Sequence, residues 1–250
     1  MKIATFGVVL FASAVAVSTA NASVTFSFAS DSNNDGPTFF GHGTPGSPTN
    51  VLTDAAAFDN SGQVIVGLTV DTNGDAPGGG TVFNTLFSFT GATTNYASMP
   101  FAGGFLQSWS MSGTFNFTET GSGLQVLAIS FTNAVFTSFS PSSTTLGTTA
   151  TIQDSEALDA PLTFIPGAPL IGLGVNAAAL ASNEGFSFAL ANIRSAPAAG
   201  APLTIGANGS WLQQWVSEGS FAAAAQGVPG PGSLAILGFG LLAGPRRRRA

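Results

Sequence analysis

Apolar side chains recur at every second position through long parts of this chain, a spacing that suits β-strands and not helices. Val24, Phe26 and Phe28 alternate with Thr25 and Ser27, and Met111, Gly113, Phe115 and Phe117 alternate with Ser112, Thr114, Asn116 and Thr118. A period of two places alternate side chains on opposite faces, so the phenylalanine face is expected inside and the Ser/Thr face in water. Further strands are expected at residues 63–70, 81–90, 124–133, 134–139, 144–153, 169–175 and 186–193. Clusters of Gly, Asn, Ser and Pro at 31–37, 41–50, 73–80 and 120–123 read as turns and loops, and Gly121-Ser122-Gly123 reads as a hairpin. Helix is confined to short candidates at 54–58, 176–182 and 211–218. No fixed-period repeat is visible, which disfavours a solenoid or propeller. The expected fold is all-β, a single β-sandwich or jelly-roll-like domain over residues 23–220.

The chain has no cysteine, so nothing but core burial, with metal help at most, holds such a domain together. About two hundred residues suffice, burying on the order of 70% of the unfolded chain's surface. Phenylalanine supplies 22 of the aromatic residues against one tyrosine, which provides core area without a polar group to satisfy. Residues 23–227 hold one basic residue, Arg194, against twelve acidic ones, a net charge of −11. Phosphate neutralisation needs Lys and Arg, so nucleic acid is excluded as a partner, whereas divalent cations suit this surface.

The two ends differ from the body. Met1 and Lys2 precede an apolar run over 3–17 and the small residues Ala20-Asn21-Ala22. That is the tripartite pattern of a secretory signal peptide over 1–22, with cleavage expected after Ala22. At the other end an Ala/Gly/Pro-rich linker over 221–232 contains Val228, Pro229, Gly230 and Pro231. A short transmembrane helix and basic tail are expected over 233–250, with Arg246, Arg247, Arg248 and Arg249 stopping transfer on the cytoplasmic side. Residues 233–244 rise only about 18 Å as a helix, against a hydrocarbon core of about 30 Å. Local bilayer thinning or snorkelling arginines would close that gap. A soluble protein with a merely apolar tail is the alternative.

Together these ends resemble the PEP-CTERM sorting-domain proteins of Gram-negative bacteria, whose tail joins a Pro-Glu-Pro motif, a short transmembrane helix and an arginine cluster. Val228, Pro229 and Pro231 match the motif, residues 232–242 match the Gly/Leu-rich helix, and Arg246 to Arg249 match the basic end. Gly230 departs from the pattern, standing where the family has glutamate and removing the charged handle a protease would read. The resemblance implies export, transient residence in the inner membrane, recognition by an exosortase, and release to the cell surface or extracellular space of an exopolysaccharide producer. A looser likeness to ectodomains of the family runs through Gly113-Thr114-Phe115-Asn116-Phe117, residues 131–134 and 186–190, and supports a fold class and no activity.

Catalytic groups are scarce: residues 23–227 have no cysteine and no lysine, one histidine and one tyrosine. His42 sits in a Gly/Pro-rich stretch and reads as a surface loop residue, and no G-x-S-x-G elbow is present. Nearby carboxylate pairs such as Glu156 with Asp159 fall in an apparent loop where solvation accounts for them. Asp31-x-Asn33-x-Asp35-Gly36 has the alternating oxygen ligands of half a Ca2+ loop, followed by Pro37 and with His42 in place of the twelfth-position glutamate. Asp71-x-Asn73-x-Asp75 repeats the spacing, and turn formation by Asp and Asn is the competing account of both. Trp109, Trp211, Trp215 and Tyr96 offer rings for sugar stacking, or else close the core beside the C-terminal linker. The expected function is that of a non-enzymatic surface or matrix protein, with a calcium-stabilised carbohydrate-binding module as the alternative and a secreted glycoside hydrolase as the third reading.

Overall fold

The computed structural model describes residues 23–29, 39–47, 49–54, 64–72, 80–154, 162–175, 180, 185–196 and 201–226. Its elements are β1 (Ser23–Ala29), β2 (Phe39–Gly43), β3 (Asn50–Asp54), β4 (Val64–Asp71), β5 (Thr81–Phe101), β6 (Gly104–Glu119), β7 (Gln125–Ser140), β8 (Ala150–Gln153), β9 (Leu162–Pro166), α1 (Ala168–Gly172), β10 (Phe186–Ser195) and β11 (Trp215–Gln226). Every ladder is antiparallel.

Register shows that these eleven segments follow only eight lines. Along β11, Ala29 faces Ser220 and Phe39 faces Ser217, so β1 and β2 continue one another. Along β5, Thr53 faces Thr90 and Val64 faces Phe87, which aligns β3 with β4. Along β7, Gln153 faces Val135 and Leu162 faces Phe131, which aligns β8 with β9. Each line then pairs with the next in chain order, and β11 pairs with β1 and β2 to close the ring. The all-β expectation holds, but the course is a closed up-and-down meander, and the long crossovers of a jelly roll do not occur among the described residues. One seam is incomplete: β9 pairs with β7 alone, while β10 pairs with β8 and β11.

Alternation sets the inside and outside of this ring. Phe26, Phe39, Phe87, Phe89, Phe115, Phe117, Phe136 and Phe188 are almost completely buried. Their rings pack at centroid separations such as 4.6 Å for Phe89 with Phe115 and 4.7 Å for Phe39 with Phe188. The intervening Ser, Thr and Asn residues point outward, as an eight-line barrel filled by its own side chains requires. A membrane-spanning β-barrel has the reverse pattern, apolar outside and polar within. No helix among the described residues is long and apolar enough to cross a membrane, and the expected helix over 233–250 lies outside those residues.

Several elements differ from the sequence reading. Residues 124–133 and 134–139, expected as two strands, form the single β7, in which Asn133 adopts φ 57° and β6 and β7 slip register between Met111/Gly113. A left-handed asparagine bulge interrupts the period without ending the strand. Residues 169–175, expected as a strand, overlap α1, which has Pro in its first turn. Residues 41–50, expected as a loop, contribute the ends of the β2–β3 hairpin. Trp211 to Glu218, expected as helical, make a bridge and the start of β11, because Trp215 and Ser217 must face the core beside Gly41 and Phe39. Residues 221–226, placed in the linker, complete β11 with Phe221, Ala223 and Ala225 buried.

Candidate functional site

Two places in the described structure could hold a site, an aromatic cluster that the sequence reading named and an outer trough that it did not. At the end of the ring where β5 turns into β6, Trp109 on β6, Trp211 in an isolated bridge with Ile205, and Trp215 at the start of β11 approach one another with Phe136. Ring centroids lie 5.0 Å apart for Trp211 with Trp215, 6.0 Å for Trp109 with Trp211 and 5.3 Å for Phe136 with Trp211. All three tryptophans are at most 1% exposed. A ring that a sugar stacks on must show a face to solvent, so these indoles belong to the core, and the sugar-stacking expectation for them is corrected. Gly41 makes room for one of them: a Cβ there would lie 2.1 Å from Cε2 of Trp215.

Asn50 ties this end together. Its Nδ2 donates to Thr93 Oγ1 at 2.9 Å and to the Gly209 carbonyl at 3.0 Å, while its Oδ1 accepts the Trp211 backbone N–H at 2.7 Å. Trp109 Nε1 donates to the same Gly209 carbonyl at 2.9 Å. Gly209 holds φ +84° against Tyr96, whose Cβ lies 2.3 Å from where a Cβ on residue 209 would be. Gln107 adds bonds from Nε2 to the carbonyls of Ser142 and Thr145 at 3.2 and 2.8 Å. Residues 201–213 are thereby fastened over the open end of the ring by neutral amides, hydroxyls and indoles.

The second place is a shallow outer trough of about 680 Å³, over β1, β8, β10 and β11 beside the incomplete seam. Ser27, Ser187, Ala222 and Ala224 make its floor, and Asp154 and Gln153 lie at its border. Small side chains explain the hollow: nothing on four adjacent strands stands far above the backbone. Asp154 supplies the sole carboxylate there among the described residues, too little for acid–base work in a pair.

The expected metal and sorting residues lie almost entirely outside the described residues. Asp71 ends β4, partly buried opposite Thr25. Its expected calcium partners Asn73 and Asp75, and all of Asp31, Asn33 and Asp35, lie outside the described residues. So do Ala20, Ala22, Glu156, Asp159, Val228, Pro229, Gly230, Pro231 and Arg246 to Arg249. No group of three potential metal-binding side chains occurs among the described residues. His42, expected in a loop, lies in β2 opposite Val51, partly buried, its ring 5.5 Å from that of Phe40.

Sequence reasoning missed Asn50 and Asp54. Asn50 carried no signal, because its partners lie 43 and about 160 positions away. Asp54 is half-buried at the end of β3, where loss of solvation raises its carboxyl above the ordinary value, opposed by hydrogen bonds from the backbone of Asp54 and Phe89. The chain matches no protein-family model, no curated protein and no solved structure.

Proposed function

We propose that this is an exported, non-enzymatic cell-surface or extracellular-matrix protein, sorted by a PEP-CTERM-like tail that an exosortase processes, and associated with exopolysaccharide. What supports the reading most directly is the order of the end segments in the sequence, with the described ring lying between them: its strands run from Ser23, behind Ala22, to Gln226, ahead of Val228. Ser23 and Gln226 are cross-strand partners, so the described ring begins and ends at one place. The rival carbohydrate-binding module loses the three tryptophans of its aromatic platform to the core and keeps only the partly buried Tyr96.

Mass spectrometry of the protein from its host's medium and envelope tests the proposal. The expected species starts at Ser23 and lacks Arg246 to Arg249, with the envelope fraction retaining the tail if Gly230 slows cutting. An intact chain confined to the cytosol would refute it.

A further inference from the structure

Four side-chain polar atoms among the described residues are buried without a hydrogen-bond partner: Gln107 Oε1, Trp211 Nε1, Trp215 Nε1 and Ser217 Oγ. All four belong to the half of the ring that residues 201–213 close, whereas the half toward Ser23 and Gln226 is packed with phenylalanine. Buried polar groups nearly always have a partner, from the protein or from ordered water, because an unmade bond forfeits the solvation of the group.

Three of the four are neighbours. Trp215 and Ser217 lie wholly buried on the inner face of β11, two residues apart, and the Trp211 ring is 5.0 Å from that of Trp215. Across the ladder Trp215 faces Gly41 and Ser217 faces Phe39. The Trp215 indole leans onto Gly41, where a Cβ would lie 2.7 Å from its Nε1. Gly41 is the diagonal neighbour of Ser217, about 7–8 Å away between Cα atoms. Two hydrogen bonds in series span about 5–6 Å, which suits that diagonal. Phe39 leans the other way, over Gly219, where a Cβ would approach its Cε2 to 2.5 Å. The two large rings therefore part over Ser217.

The donor and acceptor count says what joins these groups. An indole N–H only donates, whereas a serine hydroxyl also accepts. One water accepts from both indoles and donates to the hydroxyl, and about three partners is what a buried water has. An anion would accept both N–H groups, but it would be buried without a cation in a body that carries twelve acidic residues against one basic. A larger solute would have to displace residues 201–213, which Asn50 and Trp109 fasten down.

We propose that the ring binds an ordered internal water, which accepts from Trp215 Nε1 and Trp211 Nε1 and donates to Ser217 Oγ. It ties the ladder that closes the ring, β2 on β11, to the tryptophan cluster. Immobilising a water has an entropic cost that a direct bond does not carry, so each indole gains less from it than Trp109 gains from the Gly209 carbonyl. Residues 201–213 cover it, so it exchanges slowly with solvent.

Nuclear magnetic resonance on the purified full chain tests this, with the three indole N–H signals assigned from Trp→Phe variants. Cross-relaxation with a long-lived water is expected at Trp215 and Trp211 and not at Trp109. Ser217→Ala should abolish it at Trp215 while the Trp109 resonance keeps its position, which shows that the ring still closes. A crystal structure should place the water oxygen within about 3.2 Å of Trp215 Nε1 and Ser217 Oγ. No water signal at Trp215, an equal signal at Trp109, or a Trp215 signal that survives Ser217→Ala would overturn the proposal. So would a crystal structure in which Ser217 Oγ bonds Trp215 Nε1 directly, where exchange of the hydroxyl proton would produce the same relaxation.

Discussion

Two indoles in the same cluster make different demands on their surroundings. Trp109 Nε1 donates to the Gly209 carbonyl, whereas Trp215 Nε1 is buried without a hydrogen-bond partner among the described residues. Replacement by phenylalanine removes similar area from both, but only Trp109→Phe removes a bond made directly to the chain. Trp109→Phe is expected to be the more destabilising by about 1 kcal/mol in urea melts; equal losses would show that the Gly209 contact contributes nothing. Asp54 gives a pH signature. Its folded-state carboxyl binds a proton more readily than in the unfolded chain, so the native state holds the extra proton and stability falls as pH rises through the window above the ordinary carboxylate value. Asp54→Asn should therefore stabilise the protein at neutral pH, with the gain disappearing in melts run at pH values below that window. A gain independent of pH would remove desolvation as its cause.

Among elements, the close approach at Gly167 decides how α1 meets β7. A Cβ at Gly167 would lie 1.6 Å from the Gln125 carbonyl oxygen, while its backbone, at φ −86° and ψ 177°, is open to any residue. Gly167→Ala thus acts through crowding and not through backbone strain. It should displace α1 and cost about 1–3 kcal/mol, read as a lower denaturation midpoint; an unchanged midpoint would mean that the junction shifts freely. Strand identity was legible wherever period two ran unbroken, as in Ser23–Ala29 and across residues 111–118. It was misread where one residue interrupts the period, as Asn133 does in β7, or where glycine is chosen for a neighbour, as Gly41 is for Trp215. Neither residue announces which of its possible roles it takes until its cross-strand partner is known.

For the whole molecule, closure makes the two ends of the described chain neighbours. Ser23 faces Gln226 in the ladder that seals the ring, so β1 gains its partner on that side only when β11 is in place. A circular permutant joining Gln226 to Ser23 through a few glycines, opened at Gly121-Ser122 in the exposed β6–β7 turn, is expected to fold with stability within about 2 kcal/mol of the parent. Deleting residues 215–226 should instead abolish cooperative unfolding, since it strips partners from β1, β2 and β10 together. A permutant that fails to fold while the truncation stays cooperative would contradict the closed ring.

Sequence alone determined that the body is strand-built, that phenylalanine faces inward, that acidic charge dominates it and that its ends are apolar, because all of these are properties of local spacing and composition. Tertiary structure alone decided that the strands close into a ring and that the tryptophans are walled in by Gly41 and Asn50. Those outcomes depend on which strand lies beside which, and pairings across one hundred or two hundred positions, such as Ser23 with Gln226, leave no local pattern to read.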